Sequence, residues 1–167
     1  ALRRALLQLD ELFLLVVVGE FNAGKSAMIN ALLGETVLKE GVTPTTSRVT
    51  LLRYGEERTE QIVNNGFAIV TLPVPFLEVI NIVDSPGTNA IIREHELLTN
   101  EYVPRSDLVL FATSADRPLT ESERQFMQKI LAWGKKLTLV VNKADILDTP
   151  QAKTEVRSFV MDHVIQI

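Results

Sequence analysis

Cysteine is absent from the chain, which excludes disulfides and thiolate metal sites. No apolar run approaches the roughly 20 residues that a membrane-spanning helix needs. The longest, Leu12 to Val18, runs into a glycine-containing loop and reads as a buried strand. An excess of positive charge is missing too. Seventeen Lys and Arg against 21 Asp and Glu leave a net charge of −4, which argues against broad nucleic-acid binding through a basic surface. There is no internal repeat and no low-complexity tract. The 167 residues contain 46% hydrophobic and 23% charged side chains, ordinary globular usage and enough for one core rather than two. The lack of cysteine and of a visible signal peptide fits a cytoplasmic protein.

What is present is an alternation of two periodicities. Leu2, Leu6 and Leu9, separated by Arg3, Arg4 and Gln8, follow an amphipathic helix pattern. Because the chain opens inside that pattern, it is expected to be part of a longer protein. A first strand is predicted over about Leu12 to Val18, then a helix from Lys25 to Leu33 with Met28, Ile29, Leu32 and Leu33 as its apolar side and Gly34 as its stop. Lys39 to Arg48 (KEGVTPTTSR) reads as loop and Val49 to Tyr54 as strand. Asn64-Asn65-Gly66 is a hairpin turn signal between Gln61–Val63 and Phe67–Val70. Leu77 to Val83 reads as strand and residues 92 to 103 as helix. Leu108 to Ala112 and Leu137 to Val141 are continuous apolar runs of the kind buried parallel strands require. Thr120-Glu121-Ser122-Glu123 is a capping box that opens a helix with Phe126, Met127, Ile130 and Trp133 facing inward. Thr149-Pro150 opens a last helix, Gln151 to Gln166, with Val156, Phe159, Val160 and Val164 on one side. The expected fold class is α/β, a doubly wound, mostly parallel sheet with an N-terminal amphipathic helix. Residues 1–11 are expected to link to a helical bundle outside the chain, and residues 12–167 to form the nucleotide-binding domain.

Gly19-Glu20-Phe21-Asn22-Ala23-Gly24-Lys25-Ser26 matches a phosphate-binding loop, with a strand behind it and a helix ahead. Backbone amides from Gly19, Asn22, Ala23, Gly24, Lys25, Ser26 and Ala27 are placed to face phosphates at a helix N-terminus. Lys25 is expected to reach the β- and γ-phosphates and Ser26 to ligate Mg²⁺. Asp84-Ser85-Pro86-Gly87 closes an apolar strand, where Asp84 suits a carboxylate near Mg²⁺ and Gly87 lets backbone approach a γ-phosphate. Asn142-Lys143-Ala144-Asp145 selects the base. A carboxylate at Asp145 accepts from guanine N1–H and N2–H₂, a donor pair adenine does not have. Lys143 lies along the base plane and Asn142 braces the loops. In the threonine-rich loop Thr43, Thr45 and Thr46 each offer a hydroxyl for Mg²⁺ and γ-phosphate, and Thr46 is favoured as nearest the following strand. His95 reads as a solvated helix residue, and Trp133 as packing.

These four elements in this order resemble the GTPase superfamily. The stretches DELFLLVVVGEFNAGKSAMINALLG, KEGVTPTTSRVTLLRYG, VDSPGTN and ADRPLTESERQFM resemble, more narrowly, the bacterial dynamin-like proteins and the related chloroplast and mitochondrial fusion GTPases. The resemblance implies a P-loop GTPase fold, GTP and GDP as ligands with Mg²⁺, and hydrolysis coupled to membrane remodelling. It also implies a further strand, a guanine-contacting loop, a stalk and a membrane-binding tip outside this chain, peripheral membrane association of the longer protein, and no nucleic-acid partner.

The sequence departs from that pattern twice. Thr88 follows Gly87 where small regulatory GTPases carry a water-orienting glutamine, and Phe21-Asn22 stand where classical dynamins place glutamine and serine. With Lys25 as the phosphate cation, Asn22 or a group at Thr45 or Thr46 is then expected to complete the catalytic site on self-association through the nucleotide face. A regulatory or assembly-factor GTPase switch is the alternative reading, and a dimerisation module that binds GTP and barely hydrolyses it is a third.

Overall fold

The computed structural model describes residues 12–38, 48–85 and 98–165. A seven-stranded sheet organises them: β1 Phe13–Gly19, β2 Val49–Tyr54, β3 Thr59–Asn64, β4 Phe67–Leu72, β5 Ile80–Asp84, β6 Leu108–Ser114 and β7 Leu137–Asn142. Their order across the sheet is β3-β4-β2-β5-β1-β6-β7. β1 pairs in parallel with β5 and β6, β6 with β7, and β2 with β4, whereas β2/β5 and β3/β4 are antiparallel. The helices are α1 Lys25–Leu33, α2 Glu121–Ala132 and α3 Pro150–Val164.

β1 lies inside the sheet, between β5 and β6, because FLLVVVG is apolar on both of its faces. Leu14, Val16 and Val18 join one core cluster with Phe111, Phe126, Met127, Ile130 and Val160, beneath α2 and α3. Leu15 and Val17 join the other with Ile29, Leu33 and Ile82, beneath α1. Burial on both faces is what makes the strand a continuous apolar run rather than an alternating one. α2 makes the crossover from β6 to β7, and the four mutually parallel strands β5, β1, β6 and β7 have their C-terminal ends at one edge, where ligands bind in open α/β sheets.

Several expectations are met and others corrected. α1, β2 and the hairpin turn between β3 and β4 fall where the sequence puts them, and Gly34 caps α1 at φ 74°. Leu32 of the predicted apolar side is exposed. β5 begins at Ile80 rather than Leu77, because Pro75 opens a short 3-10 turn over Pro75–Glu78 that buries Leu77 from outside the sheet. No α-helix is found between β2 and β5 among the described residues, so the alternation breaks there into consecutive strands. Among the described residues β7 is the outermost strand on its side of the sheet and is half-buried, where a fully buried strand was expected. Trp133, predicted inward, is the α2 C-cap and is 40% exposed. Phe159 is also exposed and lies against His163, with ring centroids 4.0 Å apart. Of the helix predicted over residues 92 to 103, Leu98–Tyr102 forms a π-type turn, followed by a 3-10 turn over Val103–Arg105. The rest of that prediction and the amphipathic segment at residues 2–10 lie outside the described residues. No helix among the described residues is long and apolar enough to cross a membrane.

Candidate functional site

Between Gly19 at the end of β1 and Lys25 at the start of α1 the chain reverses within five residues. Asn22 at φ 64° and Gly24 at φ 84° carry the left-handed backbone that this needs. Two glycines are also required by space. A Cβ on Gly19 would lie 2.1 Å from the Ala112 carbonyl oxygen of β6, and one on Gly24 would lie 2.1 Å from Asn142 Nδ2. The loop therefore sits against the ends of β6 and β7.

Lys25 begins α1 and is buried, with its Nζ donating to the carbonyls of Gly19 at 3.0 Å and Glu20 at 2.9 Å. Burial pulls its pKa below the ordinary lysine value, while the carboxylates of Asp84, Glu123 and Glu20 work to keep it charged. The first turn of α1 holds no acidic side chain, so the positive end of its dipole is left for a ligand anion. Ser26 and Ala27 are half-buried in that turn. Asp84 ends β5 fully buried, in register with Val17 of β1 and Thr50 of β2, and the Ser85 N–H donates to the Val17 carbonyl at 3.3 Å.

Asn142 ends β7, and its Nδ2 donates to the Ala23 carbonyl at 3.0 Å across 119 residues of chain. That bond ties the phosphate-type loop to the Asn-Lys-Ala-Asp turn. Lys143 follows at φ 59°, and Asp145 lies exposed in a 3-10 turn over Ala144–Ile146. Glu20, Phe21, Asn22, Ser114, Asp116 and Lys143 line a cleft of about 360 Å³ between the loop and the end of β6. The Ser114 hydroxyl donates to Asp116 and, ahead of the nearby Lys143 and Arg117 charges, holds that carboxyl below its ordinary range.

The structure thus brings together Gly19, Asn22, Ala23, Gly24, Lys25, Ser26, Ala27, Asp84, Asn142, Lys143 and Asp145 at one edge of the sheet. Thr45, Thr46 and Gly87, together with Thr43, Thr88 and His95, lie outside the described residues. The sequence reading missed a polar cluster behind the loop. Glu20 accepts hydrogen bonds from the hydroxyls of Thr120 and Ser122. Glu123 is buried and accepts from Thr113 Oγ1 at 2.9 Å and from the Thr120 N–H at 3.0 Å. Burial pushes the Glu123 carboxyl above its ordinary value against those two donors. The capping-box spelling was the one available signal for this cluster.

The sequence profile of the Dynamin family matches residues 15–73 and 59–145. The chain belongs to the dynamin family. It is a guanine-nucleotide-binding GTPase domain on a P-loop GTPase fold. The chain is 48% identical over 164 residues, 95% of its length, to a probable transmembrane GTPase, FZO-like and chloroplastic, of Arabidopsis thaliana. It is 31% identical over 166 residues, 76% of its length, to a bacterial dynamin-like protein of Nostoc punctiforme. It spans only 18% and 24% of those two proteins. An oligomerised bacterial dynamin pair, described as a mechanism for long-range sensing and tethering of membranes, superposes with a TM-score of 0.79 at 22% identity. That match covers 97% of this chain and 32% of the other. At that identity the likeness speaks for the dynamin GTPase-domain fold alone.

Proposed function

We propose that this dynamin-family domain couples GTP hydrolysis to membrane remodelling, fusion or fission, through nucleotide-dependent dimerisation within a longer, peripherally membrane-associated cytoplasmic protein. The observation that carries the nucleotide part is the Lys25 ammonium, held by two loop carbonyls at the positive end of α1. Gly19, Asn22, Ala23, Gly24, Ser26 and Ala27 cradle the phosphates through backbone amides, and Lys25 neutralises charge on the transferring phosphoryl group. Asn142 braces the loop, Lys143 covers the base and Asp145 selects guanine. Thr45, Thr46 and Gly87 are assigned to the γ-phosphate from the sequence motif.

The donor set suits Mg²⁺. A hydroxyl at Ser26 and a buried carboxylate at Asp84 are hard oxygen donors, and Mg²⁺ takes one or two such protein groups beside phosphate oxygens and water. Thr46 is the third candidate. When bound, the ion would neutralise charge on the β- and γ-phosphate oxygens. Asn22, exposed at the loop tip, is assigned the water near the phosphates, and the partner's loop is taken to complete the site in the dimer.

The membrane part is supported by the relatives. The Arabidopsis protein is described as transmembrane and the bacterial pair as tethering membranes. Residues 1–11 are proposed to lead into a helical bundle at the opposite pole of the sheet. There Phe13, at the start of β1, and Phe76 and Val79, before β5, are 46%, 41% and 65% exposed. The test uses the full-length protein with lipid vesicles. GTP should drive vesicle clustering or lipid mixing, GDP should not, and Lys25→Ala should abolish the response. GTP turnover with no vesicle response would favour a regulatory or assembly-factor switch.

A further inference from the structure

The phosphate loop must aim one ammonium at a reacting phosphate. Lys25 takes its aim from the carbonyls of Gly19 and Glu20. What fixes those carbonyls is therefore part of the reaction geometry. Gly19 is fixed by the sheet, through its pairing with Ala112 of β6. Glu20 has left the strand, its carbonyl accepting the Ala23 N–H at 3.2 Å and its backbone meeting the Glu123 carboxylate, and one more anchor ties it to the N-terminus of α2.

Its side chain supplies one. The Glu20 side chain is only 18% exposed, and its Oε1 accepts from Thr120 Oγ1 and Ser122 Oγ, 100 and 102 residues away. Thr120 is the N-cap of α2, so its hydroxyl both donates to Glu20 and accepts the Glu123 N–H at 3.3 Å. Glu123 returns the bond by accepting the Thr120 N–H, and it also accepts the Thr113 hydroxyl of β6. Thr113 Oγ1 in turn accepts the Leu119 N–H at 3.1 Å. The chain of bonds runs from the strand through the helix cap to the phosphate loop. By contrast, Arg117 touches the other Glu20 oxygen at 3.9 Å from an 80% exposed side chain, which adds little.

We propose that Glu20 is a positioning residue for Lys25, its carboxylate locking the phosphate loop to the capped N-terminus of α2 so that its own carbonyl points the ammonium at the transferring phosphoryl group. The inference rests on the GTPase assignment and deepens it. Glutamine at this position retains an oxygen that accepts both hydroxyls, whereas alanine removes the lock.

The experiment measures steady-state GTP hydrolysis by the full-length protein. Wild-type turnover and its loss in Lys25→Ala establish the reaction independently, so the outcome for Glu20 is read on its own. Glu20→Ala should lower kcat roughly 10- to 100-fold, the scale of a small misplacement of a catalytic group, while KM for GTP shifts by less than about threefold. Glu20→Gln should recover kcat to within about threefold of wild type. Thr120→Val combined with Glu20→Ala should be no worse than the poorer single variant, because both cut one link. Ser122→Ala, which removes one exposed donor, gives a milder loss and keeps the test readable if Glu20→Ala misfolds. Glu121→Ala, in the same turn but paired with Arg124 and Gln125, should leave kcat unchanged. Unchanged kcat in Glu20→Ala, a Glu20→Gln as impaired as the alanine variant, or additive losses in the double variant would each overturn the proposal.

Discussion

Asp145 owes its presentation to one residue of backbone. Lys143 turns the chain at φ 59° directly after β7, and a single 3-10 turn then holds the carboxylate exposed at the sheet edge. A hydrogen bond to a charged group contributes about 1.5–3 kcal/mol, and a site built around such a bond rejects a ligand that leaves it unmade. Calorimetry on the wild-type protein should therefore show GTP and GDP bound far more tightly than ATP. Asp145→Asn should weaken GTP roughly 10- to 150-fold, the same energy expressed as a ratio, and should favour xanthosine nucleotides, whose 2-oxo group meets the new amide. Equal affinity for ATP and GTP would refute the assignment. The positions of Asp145, Lys25 and Asn142 at the strand ends were legible in the sequence because local spacing fixes them: strand, turn, then polar group. Glu20 was not. Its partners lie about a hundred residues away, and nothing at position 20 signals that Thr120 will have a hydroxyl hydrogen to give.

At the scale of elements, legibility followed the strength of local signals. The capping box at Thr120 and the Thr149-Pro150 start of α3 appear where the spelling puts them, since a side-chain cap is a contact within one turn. Errors arose where tertiary position decides. Leu137 to Val141 is as apolar as a central strand, and β7 is half-buried as the last strand of the sheet among the described residues. Trp133 continues the helical stripe of α2, yet the helix ends there and the ring is left outside. An element also depends on what fixes its exit. Buried Asn30 in α1 accepts from the N–H groups of Val37 and Leu38 at 3.0 and 2.9 Å and donates to the Leu38 carbonyl at 2.9 Å. It thus seats Leu38 in the core cluster that includes Ile29 and Leu33. Asn30→Ala leaves buried backbone groups of Leu38 without those bonds, a penalty of about 1–3 kcal/mol. Urea unfolding should show the midpoint falling with the slope unchanged. An unmoved midpoint would mean that α1 and Leu38 are held by apolar packing alone.

The whole molecule has two dissimilar poles. At the strand C-termini lie the phosphate loop, Asp84 and the Asn-Lys-Ala-Asp turn, with Phe21 exposed beside Asn22. At the other pole are the exposed Phe13, Phe76 and Val79. This division suits the proposed dimerisation at one end and the proposed helical bundle at the other. In the proposed reading Lys25 is the phosphate cation of the nucleotide pole, but neither Phe21 nor Thr88 carries an amide to orient a water as glutamine does. Completing a site with a group supplied from outside raises turnover by about 10³–10⁵ in other GTPases. Loops that order around a γ-phosphate build an interface that persists only in the triphosphate state, so hydrolysis would also release the partner. Specific activity of the full-length protein should accordingly rise with protein concentration, and GDP with a transition-state mimic should trap a dimer in sedimentation while GDP alone leaves monomers. Flat specific activity over about a hundredfold range of concentration, spanning the Kd that a trapped dimer would report, would exclude catalysis in trans. Water positioning would then fall to the monomer's own Asn22.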